Sequence, residues 1–326
     1  MNQNNDFISP DTLKIGIAQI APVWLDRERT TQKIISFIRR AADEACKLVV
    51  FGEALLPGYP FWVERTDGAR FNDPVQKEIH AHYMKNAVRI EAGHLSTICE
   101  TAAEKQIAVI MGCIEIPMDR GGHSLYCTLV YIDAEGRIQT THRKLMPTYE
   151  ERLTWSPGDG HGLRVNSLGD FTVGGLNCWE NWMPLARTAL YAQGEDLHVA
   201  LWPGNVRNTE DITRFIAMES RSFVISAGGL MRNSDIPEHT PHVEKIRGNT
   251  SESELVADGG SCIAGPDGHW VVPPVAGEET LITAVIDHKL VRMERQNFDP
   301  AGHYARPDVI RMTVDRTRQN ILRIKD

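Results

Sequence analysis

LKIGIAQIAPVWLDRERTTQKIISFIRRAADEACKLVVFGE, residues 13–53, holds the pattern from which the rest of the chain is read. Residues 13–20 are short, apolar and β-branched, the signature of a buried strand. Over 26–46, Ile34, Ile35, Ile38, Ala41, Ala42 and Ala45 recur at the spacing of one buried helix face. LVVF (48–51) is a second buried strand, ending on Gly52 and Glu53. Outward from this strand–helix–strand unit, 74–104 reads as helical and 107–115 as a third strand. Segments 125–134 and 137–144 flank Glu135–Gly136, a hairpin turn. The second half repeats the pattern: strand 171–177 leading to Cys178, helix 183–192, strand 197–202, helix 211–222 and strand 223–230. Segments 261–264 and 269–272 bracket the turn Gly-Pro-Asp-Gly, and 281–286 is the last clear strand. The alternation ending in hairpins predicts an α/β fold with mixed sheets. Two similar halves predict two sheets packed face to face with helices outside. The irregular stretches 58–72 and 233–260 are predicted to be lids, binding loops or contact surfaces.

Composition narrows the function. The 326 residues are 42% hydrophobic and 24% charged, the balance of an ordinary globular protein. With 35 Lys+Arg against 43 Asp+Glu the net charge is −8, and no basic stripe suggests a nucleic-acid partner. No apolar run reaches the ~18 residues needed to cross a bilayer. The opening MNQNNDFISPDTLK lacks the basic and apolar regions of a signal peptide, so a cytoplasmic location is expected. Six cysteines (Cys46, Cys99, Cys113, Cys127, Cys178 and Cys262) are scattered without a CxxC pair, which predicts reduced thiols and no metal site.

Three side chains fall at predicted strand ends, where α/β folds bind ligands. Cys178 follows FTVGGLN where a helix is expected to begin, a place where helix N–H groups would lower a thiol pKa. Glu53 follows LVVFG, where a partly buried carboxylate gains basicity. Lys144 ends RIQTTHRK, where a desolvated ammonium could stabilise developing negative charge. Taken singly, each is more readily a structural thiol, a solvated glutamate or a solvated lysine. Together they supply the nucleophile, base and cation that covalent attack on an electrophilic carbon needs. His142, His161, His198 and His303 raise a Cys–His protease reading, but nothing in the sequence fixes one beside Cys178.

GEALLPGYPFW (52–62), HRKLMPTYEERLTW (142–155) and CWENWMPL (178–185) resemble the active-site segments of the nitrilase branch of the carbon–nitrogen hydrolase superfamily. The likeness extends to KIGIAQ, DGGSCIAGPDG (258–268) and GHYARPDV (302–309), and so to nearly the whole chain. The resemblance implies a four-layer α-β-β-α sandwich in a single domain over 1–326, with a core at about 12–290 and a tail at about 291–326 in an oligomer interface. It implies Glu53 as general base, Lys144 as catalytic lysine, Cys178 as nucleophile, and Glu151 as a second glutamate orienting the lysine. The adjacent Glu150 leaves open which of the two holds that role. It also implies no cofactor and no metal, a small-molecule nitrile as substrate, and homodimers built through the Cys178 segment, with larger spirals in many members. Trp182 stands where many nitrilases have tyrosine, and the sequence runs only to Asp326 where many relatives have a longer tail. Tyr59, Trp155, Trp179, Trp182 and Trp202 are candidates to line a pocket for an aryl or arylaliphatic nitrile, the alternative being core packing. An amidase or carbamoylase would use the same side chains. A non-catalytic binding protein of this fold would be expected to have lost one of them.

Overall fold

The structure, a computed structural model, describes residues 11–320 and Leu322. Most of the opening segment read for a leader, and residues 321 and 323–326 of the tail, lie outside them. The strands are β1 (Thr12–Gln19), β2 (Leu48–Phe51), β3 (Ala108–Glu115), β4 (Tyr126–Ile132), β5 (Ile138–Arg143), β6 (Asn166–Leu168), β7 (Phe171–Asn177), β8 (Leu197–Trp202), β9 (Phe223–Gly228), β10 (Leu230–Arg232), β11 (Leu255–Ala264), β12 (Trp270–Ala276) and β13 (Thr280–Asp287). The helices are α1 (Arg27–Asp43), α2 (Trp62–Arg65), α3 (Pro74–Asn86), α4 (Ser96–Lys105), α5 (Pro184–Tyr191), α6 (Val206–Ser220), α7 (Val243–Arg247) and α8 (His288–Glu294).

They form two mixed sheets. The first runs β13-β1-β2-β3-β4-β5, and the second β10-β11-β9-β8-β7-β6 with β12 alongside β11. β1-β2-β3 and β7-β8-β9 are parallel, and the outer strands pair antiparallel. Both hairpins expected from their turns are present, β4–β5 and β11–β12.

Strand alternation builds the layers. In β2, Leu48 and Val50 enter an apolar core shared with Leu197, Val199 and Ile225 of the other sheet. Its Val49 and Phe51 face the opposite way, under Ile34 and Ile38 of α1 and Ile98 of α4. In the second sheet Ala200 and Val224 meet Ile212, Ile216 and Ala217 of α6. The result is helix, sheet, sheet, helix, as expected. Helix α1 starts where the Asp26 side chain accepts from Arg29 N at 3.0 Å, a helix N-cap.

Element boundaries differ from the sequence reading in several places: the strand expected over 223–230 is β9 and β10, and β11 begins at Leu255, inside the stretch expected to be irregular. The single helical stretch expected over 74–104 is two helices, because Val88 leaves the helix to exchange backbone bonds with Ile114 and Ile116 at 2.7 and 2.8 Å. Helix α6 begins at Val206, ahead of the expected 211, with a polar first turn that faces the cleft described below.

Candidate active site

The C-terminal ends of β2, β5, β7 and β8 converge. Glu53 follows β2, and its backbone N–H donates to Trp202 O at the end of β8 (3.1 Å). Gly112 of β3 makes room for it: a Cβ there would collide with the Glu53 Cα and Ala54 N. Lys144 continues β5 by one residue, its N–H donating to Cys127 O of β4 at 2.8 Å. Glu151 sits in a 3₁₀ turn (Tyr149–Leu153), where its carboxylate accepts from Thr148 N at 2.6 Å in a capping box. Cys178 opens a second 3₁₀ turn (Cys178–Trp182) directly after β7, with φ +50°. A left-handed conformation at a non-glycine residue costs on the order of 1 kcal/mol and clusters at functional sites.

At the centre, Lys144 Nζ donates to Glu53 Oε1 at 2.8 Å and to Glu151 Oε2 at 2.7 Å. The Cys178 sulfur and one oxygen from each of these carboxylates lie within 4.8 Å of one another. Lys144, Glu53 and Glu151 have fully buried side chains, so each charge is held by its neighbours rather than by water. Of the adjacent pair, Glu151 touches the lysine, and Glu150 lies 3.2 Å from the Tyr59 hydroxyl. That hydroxyl is also 2.9 Å from Glu151 Oε1. Burial and the surrounding carboxylates push Tyr59 well above its usual pKa, so it remains a donor.

Electrostatics assign proton positions. Burial, opposed by the lysine and reinforced by Glu151, pushes the Glu53 carboxyl up to about 7. Burial disfavours the Lys144 ammonium, but Cys178, Glu53 and Glu151 outweigh it and hold its pKa well above the ordinary value. The expectation of a lowered Cys178 pKa is overturned. Burial and the facing Glu53 and Glu151 push the thiol well above its usual value, against the pull of the lysine and the Trp179 N–H. The regular helix expected at its N–H groups begins only at Pro184. Cys178 therefore rests as a thiol, with a Glu53 carboxylate oxygen within 4.8 Å of its sulfur. Cys, Glu and Glu are also donor types for a metal ion, but the ammonium already balances the two carboxylates, and the set reads as proton-transfer machinery.

The sulfur faces a cleft of about 840 Å³ whose walls include Tyr59, Phe61, Glu151, Cys178 and Trp179. Both irregular stretches border it, through Glu64 and Arg65 on one side and Glu254, Leu255 and Val256 on the other. Arg65 joins them, bonding Asn233 Oδ1 at 2.6 Å and lying 3.6 Å from Glu254. Of the five aromatic candidates, Tyr59 and Trp179 lie in the wall and three do not. Trp155 is buried behind the lysine, its ring centroid 5.6 Å from Nζ and edge-on to Tyr59. Trp182 is half exposed beside Trp179. Trp202 is fully buried under α6, because its parity in β8 matches Ala200 rather than the inward Val199 and Leu201. The wall is more polar than the tryptophans suggested, with Glu64, Arg65, Arg207 and Glu254 on it.

Sequence reading missed the residues that hold the nucleophile's turn. Glu180 accepts from Asn177 N (2.9 Å), Leu145 N (2.6 Å) and His142 Nε2 (3.1 Å), tying the cysteine segment to the lysine segment. Asn181 donates to Cys178 O at 2.8 Å and is held by His198, which is itself 2.9 Å from Glu195. Their signal was the polar pair inside CWENW, too close to the nucleophile to be solvated. His142 and His198 thus serve the scaffold, and no hydrogen bond joins either to the Cys178 sulfur among the described residues.

A thiol, two carboxylates and an ammonium meet at one pocket, a set with the chemistry of a hydrolase. The chain belongs to the carbon–nitrogen hydrolase family, whose model matches residues 14–296. It is 39% identical over 307 residues to "Nitrilase 2" of an unknown prokaryotic organism, covering 94% of this chain and 93% of that one. It is 33% identical to an aliphatic nitrilase of Rhodococcus rhodochrous, over 94% of this chain and 83% of that protein. The crystal structure of a carbon-nitrogen hydrolase from Helicobacter pylori G27 shares the fold at a TM-score of 0.68 and 18% identity, covering 91% of this chain and 96% of that one.

The thiol assignment makes one testable claim. Glu53→Gln should slow the labelling of Cys178 by iodoacetamide at pH 7 by roughly tenfold or more. Labelling that is indifferent to the Glu53 substitution would remove the base from the thiol.

Proposed function

We propose that this chain is a nitrilase, converting an organic nitrile and two waters to a carboxylic acid and ammonia. The observation that supports it best is the Lys144 ammonium held at 2.8 and 2.7 Å between two buried carboxylates beside the Cys178 thiol. A nitrile carbon is a weak electrophile, so the sulfur attacks as its proton passes to Glu53, which delivers it to the nitrile nitrogen to give a neutral thioimidate and is again a carboxylate. An ammonium has three N–H donors, and two are committed to Glu53 and Glu151. The third is free to stabilise charge developing on the nitrogen. Water activated by Glu53 adds to the thioimidate, ammonia leaves, and a thioester remains. A second water then releases the acid and restores the thiol. The nitrile preference over amides is supported by the two nitrilases to which the chain is similar at 39% and 33% identity.

The same reading proposes one hydrolase domain, with the tail from 291 onward in an interface. It also proposes a homodimer built through the Cys178 face, where Trp182, Met183, Leu185 and Phe215 are exposed. No helix of the described residues is long and apolar enough to cross a membrane.

Ammonia release measured against aliphatic, aromatic and arylaceto-nitriles, with the matching amides as controls, tests the activity. Ammonia and acid from at least one nitrile class are expected; ammonia from amides alone would make the protein an amidase. The pH profile has a fixed sign. Glu53 must enter as a carboxylate, so below about 7 activity should fall by roughly tenfold per pH unit, and above it should level off.

A further inference from the structure

We propose that Cys127 is a positioning residue for the general base, its thiol and the Lys144 ammonium together occupying Glu53 Oε1 so that the transferred proton must land on Oε2. The inference rests on Glu53 acting as the base, and it concerns a cysteine side chain that neither the mechanism nor the site reading above uses. Cys127 Sγ donates to Glu53 Oε1 at 3.5 Å, both side chains buried. Lys144 Nζ donates to the same oxygen at 2.8 Å. Glu53 Oε2 is buried with no hydrogen-bond partner, the one free acceptor of a carboxylate that must receive a proton. A carboxylate with both donors on one oxygen is fixed in rotation about its last bond and presents a single basic atom. Burial and the neighbouring Glu53 keep the Cys127 sulfur protonated, so it can only donate. The same residue's carbonyl receives the Lys144 N–H, so one position on β4 registers both the base and the cation. The charged and titratable groups around Glu53 are Lys144 after β5, Glu151 in the 3₁₀ turn, Cys178 after β7, Cys127 on β4 and, at longer range, Tyr59 and Tyr83 of α3.

Cys127 also packs in an apolar cluster with Trp62, Ala54 and Trp155, so the test must separate packing from positioning. Cys127→Ala and Cys127→Ser remove similar bulk, but serine keeps a hydroxyl donor. Losing the donor stabilises the protonated form of Glu53, so the acid limb of kcat/KM should move to higher pH in Cys127→Ala. At pH 6 that is a loss of about threefold or more, against a smaller loss on the high-pH plateau. In Cys127→Ser the limb should lie nearer the wild-type position. Equal losses at every pH in both variants, with the limb unmoved, would make Cys127 a packing residue and overturn the proposal. The alkylation rate of Cys178 across pH reads the same limb without substrate. Failure to turn over nitriles would therefore count against the proposed activity and leave the Cys127 test decisive.

Discussion

Cys178→Ala is expected to abolish turnover, by on the order of 10⁴-fold or more, while thermal unfolding stays within a few degrees of the wild type. Every covalent intermediate in the proposed cycle is bonded to its sulfur, and no other described cysteine lines the cleft. The stability half follows from what the substitution removes. Only one buried atom is lost, the left-handed backbone at φ +50° is retained, and alanine bears it no worse than cysteine does. The turn is held instead by Glu180 on Asn177 N and by Asn181 on Cys178 O, neither of which is touched. Retention of more than about a hundredth of the activity in a folded variant would sink the nucleophile assignment.

Lys144→Ala is expected to cost both rate and stability. A preorganised donor aimed at developing charge is worth about 3–4 kcal/mol, or 10²–10³ in rate, and here the same ammonium also fixes Glu53 and Glu151. Its removal leaves two buried carboxylates facing each other, a change that typically destabilises by about 3–5 kcal/mol unless one takes up a proton. That proton would be held where Glu53 needs a vacancy, so base function should fail together with charge stabilisation. The check is kcat/KM at a temperature where circular dichroism shows the variant folded. A loss of only a few-fold there would show that the ammonium is a structural counterion and not part of the chemistry.

The four-layer fold could be read from the sequence because it rests on local patterns. LVVF alternates between an inter-sheet core and a helix-covered face, and 26–46 carries one apolar stripe, so layer order follows from strand and helix periods. The helix break at Val88 could not be read, because it depends on pairing with β3, which lies more than twenty residues along the chain. Trp202 was misplaced for a different reason. Its side was fixed by the parity of β8, but its aromatic type invited a pocket role.

By itself the sequence singled out Glu53, Lys144 and Cys178 as candidates, since each closes a segment read as a strand, and strand ends of like direction gather on one edge. Tertiary structure alone decided their protonation. Helix-end logic predicted a thiolate at Cys178, yet the side chain is largely buried at the edge of the cleft and faces two carboxylates, so its charge is opposed by burial and repulsion together. Such energies depend on how many ångströms of protein replace solvent and on which charges meet across chain separations of 91 and 7 residues, and no local pattern encodes either.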